Sequence, residues 1–82
     1  MILVFNEAAF KHGVTVEDIN CAMATPLTDI LLEGYLNKFL LIGFDLSGRL
    51  LEVMYNLADE DTANVFHAMI CRKEFYKHLP GR

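Results

Sequence analysis

The 82-residue chain lacks any apolar run near the roughly 18 to 20 residues that a bilayer-spanning helix needs. Its opening Ile2-Leu3-Val4-Phe5 has neither the basic lead nor the apolar length of a secretory signal, and a cytoplasmic location is expected. Cysteine is scarce as well. Cys21 and Cys71 stand apart, with no CxxC or Cys/His ligand spacing, so two buried thiols are expected rather than a disulfide scaffold or a zinc site. No metal or cofactor is implied.

Positive charge is also in short supply. Seven Lys and Arg face eleven Asp and Glu, for a net charge of −4, and the imbalance is uneven. Residues 1–70 carry Lys11, Lys38 and Arg49 against ten acids, whereas residues 71–82 carry Arg72, Lys73, Lys77 and Arg82 against Glu74 alone. Affinity for nucleic acid comes largely from phosphate neutralisation, so RNA binding needs a locally basic patch on this acidic body. The length fits one domain, of a size that buries only about 60% of its unfolded surface. An apolar share of 54% can supply the core.

Helix signals come first in the chain. Asn6 is an N-cap for a short helix over Glu7 to His12, with Gly13 at its left-handed end. Thr15 caps a second helix, with Asp18 standing where a capping box has Glu. Val16, Ile19 and Met23 form its apolar stripe, and it ends before Pro26. At the other end Arg72, Phe75, Tyr76 and Leu79 recur at i, i+3, i+4 and i+7, which predicts a last helix that turns Arg72 inward and leaves Lys73 and Lys77 in solvent.

Between these lie strands: a peripheral one over Thr28 to Glu33, then Lys38 to Leu46, Leu50 to Leu57 and Asn64 to Cys71. A two-residue Ser47-Gly48 loop pairs Phe44 with Leu51, Ile42 with Val53 and Leu40 with Tyr55 on a core face that Phe66, Ala68 and Ile70 extend. The other face is mixed. Gly43 stands there opposite Glu52, leaving space above the carboxylate unless the glycine marks a bulge, and His67 comes either directly opposite Glu52 or diagonal to it. The acids Asp59-Glu60-Asp61 read as a solvated turn between the last two strands.

The mixed face gathers the residue types of metal-independent RNA cleavage. That reaction needs a base for the 2′-hydroxyl, an acid for the leaving 5′-oxygen and a cation for the phosphate charge. Glu52, His67 and Arg72 fit these catalytic roles in that order, with Lys11, His12, Arg49 and Lys73 as substrate-binding candidates. A structural Glu52–Arg72 ion pair with His67 beside it would carry the same signature, and Lys11-His12 also suits a helix end.

At these residues the chain resembles a known group. Lys11-His12-Gly13-Val14, followed by Thr15 and an acidic helix start, is similar to the KHGV-S/T segment of BrnT-type toxins. Phe66-His67-Ala68-Met69 followed by Cys71-Arg72-Lys73 resembles the closing strand and helix entry of that group. Phe5-Asn6 stands where those toxins commonly have Trp-Asp. The resemblance implies an α+β, RelE/BrnT-like fold: two N-terminal helices, an antiparallel sheet of three to four strands and a C-terminal helix. It also implies the toxin half of a type II toxin-antitoxin pair, an endoribonuclease neutralised by a small DNA-binding antitoxin, with Glu52, Arg72 and His67 filling the Glu, Arg and His constellation of the RelE-like group. A catalytically inactive protein-interaction domain of the same fold is the alternative. RNA, the antitoxin and a second copy of the chain are the partners to be considered, and a membrane is not.

Overall fold

The computed structural model describes residues 1–81, and Arg82, counted above in the basic end, lies outside them. Five strands form one mixed sheet: β1 (Ile2–Phe5), β2 (Thr28–Leu31), β3 (Phe39–Phe44), β4 (Leu50–Asp59) and β5 (Thr62–Ile70), in the order β1-β5-β4-β3-β2. The pairs from β2 to β5 are antiparallel, whereas β1 lies parallel to β5, with Val4 beside Asn64 and Phe5 beside Val65. One α-helix, α1 (Val16–Ala24), and two 3-10 segments, Glu7–Phe10 and Lys73–His78, complete the described chain.

The fold is α+β, but the expected RelE/BrnT-like arrangement of two N-terminal helices, a three- to four-stranded antiparallel sheet and a C-terminal helix is overturned. Ile2–Phe5 is apolar and partly β-branched, and it joins the sheet as a parallel edge, with Leu3 and Phe5 turned to the core and Ile2 and Val4 exposed. The first expected helix is one 3-10 turn. Asn6 caps it by accepting from the Ala8 N–H at 2.9 Å, and Gly13, at φ 81°, turns the chain soon after. The C-terminal segment is also 3-10, with Phe75 N–H donating to Arg72 O and Leu79 N–H to Tyr76 O. So short a segment before Pro80 gains little from α-helical cooperativity.

The helix α1 follows its signals. The Thr15 hydroxyl accepts from the Asp18 N–H at 3.1 Å and donates to Asp18 Oδ2 at 2.9 Å. Asp18 Oδ1 then accepts from the Leu46 N–H, tying the helix start to the β3–β4 turn. That turn has three residues rather than two. Asp45 and Arg49 close it, the Asp45 N–H donating to Arg49 O at 2.8 Å, and Gly48 takes the left-handed position at φ 80°.

The extra turn residue shifts the hairpin by one. Ile42, not Gly43, faces Glu52, while Gly43 pairs with Leu51 and Leu41 with Val53. The expected space above the carboxylate is therefore absent. Gly43 has another use: a Cβ there would stand 2.5 Å from the Ala22 carbonyl oxygen, so the missing side chain lets α1 lie close on β3. The core face differs from expectation as well: Leu40, Ile42 and Phe66 turn to the opposite face, and Phe44 and Ile70 are exposed.

Both faces of the sheet carry a core. Under α1, Ile19 and Ala22 meet Leu41, Leu51, Val53, Tyr55, Val65 and Ala68. On the other face Leu40, Ile42, Met54 and Cys71 lie beneath Phe75, Tyr76 and Leu79 of the C-terminal segment. That second layer turns the mixed face of the sequence into a partly enclosed site.

Candidate functional site

Glu52 lies in the middle of β4, with Ile42 across from it on β3 and Met69 on β5, and none of its surface reaches solvent. A carboxylate so enclosed is tolerable only if its oxygens are engaged. Both are. Oε1 accepts from the Arg72 backbone N–H at 2.8 Å and from Arg72 Nε at 3.1 Å. Oε2 accepts from Arg72 Nη2 at 2.8 Å and from His67 Nε2 at 2.8 Å.

Arg72 reaches this position from the end of β5. The Cys71 N–H donates to Leu50 O, and Arg72 then continues in an extended conformation, φ −76° and ψ 147°, ahead of the 3-10 segment. It is therefore a cap residue and not the first turn of a helix, although its side chain does turn inward. The Arg72 side chain is 44% exposed, and its guanidinium also lies 5.2 Å from the Phe75 ring centre and 3.5 Å from Glu74. One side of the cation is bound to Glu52, and the other is partly exposed and meets the Glu74 carboxylate through Nη1.

A β-bulge positions His67. His67 pairs with Met54 and Val65 with Tyr55, so Phe66 is the extra residue, and both Phe66 and His67 lie on the Glu52 face. Of the two arrangements open in the sequence, the diagonal one is found: Glu52 sits opposite Met69, one pair beyond Ala68 and Val53 from His67. The His67 side chain is 18% exposed.

Burial pushes the Glu52 carboxyl up, but the hydrogen bonds from the Arg72 side chain and backbone and from His67 outweigh it and hold the group below its ordinary 4.5. Glu52 is thus an anion that only accepts, so His67 Nε2 carries the proton of their hydrogen bond. In neutral His67 the lone pair is then on Nδ1. Beside them the Cys71 thiol, raised by burial and by the Glu52 charge to about 11, is inert.

The expected catalytic residues, Glu52, His67 and Arg72, are therefore in direct contact. Among the substrate-binding candidates, His12 joins them, its ring centre 5.7 Å from that of His67 at an interplanar angle of 76°. Lys11 precedes it on the surface, and Lys73 is exposed next to Arg72. Arg49 is engaged elsewhere: its Nε donates to Asp45 Oδ2 at 2.7 Å within the hairpin turn, and among the described residues no contact joins it to the cluster. No family model, curated protein or solved structure matches this chain.

Three residues not expected at the site lie on its face. Lys38 Nζ stands 4.6 Å from the Tyr35 ring centre and 5.8 Å from that of Phe66, the neighbour of His67. The bulge, which strict alternation does not anticipate, turns Phe66 to this side and away from the core face expected of it. In the sequence, the spacing of the small apolar residues Ala63, Val65 and Ala68, two apart and then three, is the one sign of it. Among the described residues no group of three or more His, Cys, Asp or Glu is arranged to hold a metal ion.

Proposed function

We propose that this protein is a BrnT-like toxin of a type II toxin-antitoxin pair and that it cuts RNA without a metal by general acid–base catalysis. The observation that carries the reading is a buried carboxylate, Glu52, that holds both an imidazole and a guanidinium at the surface. The likeness of the Lys11-His12-Gly13-Val14 and Phe66-His67-Ala68-Met69 segments to BrnT-type toxins supports it, because the two segments meet at His12 and His67.

The enclosure of Glu52 changes the distribution of roles. With no solvent face and its oxygens occupied, Glu52 is a positioning residue rather than the base. His67 takes the 2′-hydroxyl proton on Nδ1, and Glu52 stabilises the imidazolium that forms. The exposed part of Arg72 meets the phosphate as negative charge grows on it, with the phosphate taking the place of the exposed Glu74 carboxylate at Nη1. Lys11 and Lys73 supply further positive charge, and Phe66 and Tyr35 offer rings on which unpaired bases stack.

Purified protein should cut RNA in the presence of EDTA. His67→Ala should lower the rate by about 10² to 10⁴, the usual worth of a positioned acid–base group, with circular dichroism unchanged. Cleavage by His67→Ala at the wild-type rate would remove this mechanism.

One set of observations favours a second reading, a protein-interaction domain without catalysis. Leu36 is 99% exposed, with Tyr35 and Leu31 exposed in the same segment, and Ile2 and Val4 stand bare on the β1 edge, apolar surface at both edges of the sheet that a partner protein could cover. On that reading expression leaves growth unaffected while a partner protein binds tightly, and RNA incubated with the protein stays intact.

A further inference from the structure

We infer that His12 is the second acid–base group of this site, donating the proton that the leaving 5′-oxygen requires. The inference rests on the ribonuclease reading, which supplies a base and a cation but, once Glu52 is enclosed, only one residue able to exchange a proton with substrate. His12 is exposed and its ring meets the His67 ring edge to face at 5.7 Å. No carboxylate engages it among the described residues, in contrast to His67.

The fold holds His12 in this place. β1 runs parallel to β5 and ends beside Val65, and the Asn6 N–H then donates to Val65 O at 2.8 Å, which fixes the following 3-10 turn against β5. Ala9 in that turn is fully buried, and the Phe10 ring packs on Phe5 at 5.7 Å. Only Lys11 separates Phe10 from His12, and Gly13 turns the chain away at φ 81°. A short tether from a buried anchor therefore brings the His12 imidazole to His67.

The step balances within RNA and the two rings. The 2′-oxygen attacks phosphorus while His67 Nδ1 takes its proton. The bond from phosphorus to the 5′-oxygen breaks, and that oxygen takes a ring proton from protonated His12. The products are a 2′,3′-cyclic phosphate and a 5′-hydroxyl, and proton exchange with water restores both histidines.

The test compares ordinary RNA with an oligonucleotide in which sulfur replaces the bridging 5′-oxygen at a cleavage position mapped with the wild-type protein. A thiolate leaves without protonation, so this linkage needs a base but no acid. The His12→Ala and His12→Asn variants should lose about 10² to 10⁴ in single-turnover rate on ordinary RNA and cut the sulfur linkage at close to the wild-type rate. His67→Ala should be impaired on both. Wild-type cleavage of ordinary RNA by the His12 variants, or an equal loss on the two linkages, overturns the assignment while leaving the ribonuclease reading in place. Failure of the wild-type protein to cut either substrate overturns both.

Discussion

Arg72 binds Glu52 in two ways, through its backbone N–H to Oε1 at 2.8 Å and through its guanidinium, with Nη2 at 2.8 Å from Oε2 and Nε within 3.2 Å of both oxygens. The side-chain bond neutralises a charge that no water reaches, and the backbone bond fixes where the C-terminal segment leaves the sheet. Arg72→Ala keeps the second and loses the first. Stranding a buried charge costs about 3 kcal/mol, the low end of the range because the Arg72 side chain is itself partly exposed. Urea unfolding should show that loss, and Glu52→Leu combined with Arg72→Ala should recover part of it. A loss no greater than that of an exposed ion pair would mean that Glu52 is hydrated.

Stability should fall in mild acid. The folded-state pKa of Glu52 is depressed, so its contribution is fully present above the unfolded value near 4.5 and is lost as pH falls through the lower folded value. Asp45 behaves alike. Burial raises it, but the Arg49 backbone and side chain and the Ser47 N–H more than reverse this. Thermal unfolding followed from about pH 6 to about pH 3 should show Glu52→Gln least stable relative to wild type at the upper end, with the gap closing toward the lower end.

Gly43→Ala tests the register. In the observed pairing its Cβ meets the Ala22 carbonyl oxygen at 2.5 Å, which α1 can relieve only by lifting off the sheet. A loss of about 1 to 3 kcal/mol is expected, as for other overpacked cores. In the register expected from a two-residue turn Gly43 would lie on the Glu52 face instead, and the added methyl would leave α1 undisturbed.

These cases show what local sequence carries and what it does not. Thr15, Asn6 and Gly13 mark their turns through bonds to near neighbours, and those positions are legible. So are the alternation of β4 and the inward aim of Arg72. The hairpin register was not, because Asp45 closes a three-residue loop by accepting from Ser47 and Arg49 N–H groups, a choice that composition does not separate from a two-residue turn. The parallel pairing of β1 was hidden for a different reason. Four apolar residues are too few to show a period, and their partner lies some 60 positions away. That pairing brings His12 to His67, so the long-range half of the site was the half that could not be read.

Glu52→Gln should separate orientation from binding. The amide keeps the shape but can present a donor to His67 Nε2, which releases the imidazole from its tautomer. The RNA cleavage rate should fall with KM nearly unchanged. A rise in KM at constant kcat would instead make Glu52 a substrate-binding residue.

The chemistry of the cut ends tests the central claim most directly. RNA incubated with the purified protein in EDTA and then analysed by mass spectrometry should carry 5′-hydroxyl ends facing 2′,3′-cyclic phosphates, because in the proposed step the neighbouring 2′-oxygen attacks phosphorus. Intact RNA, or 5′-phosphate ends formed only when a divalent metal is restored, would contradict it.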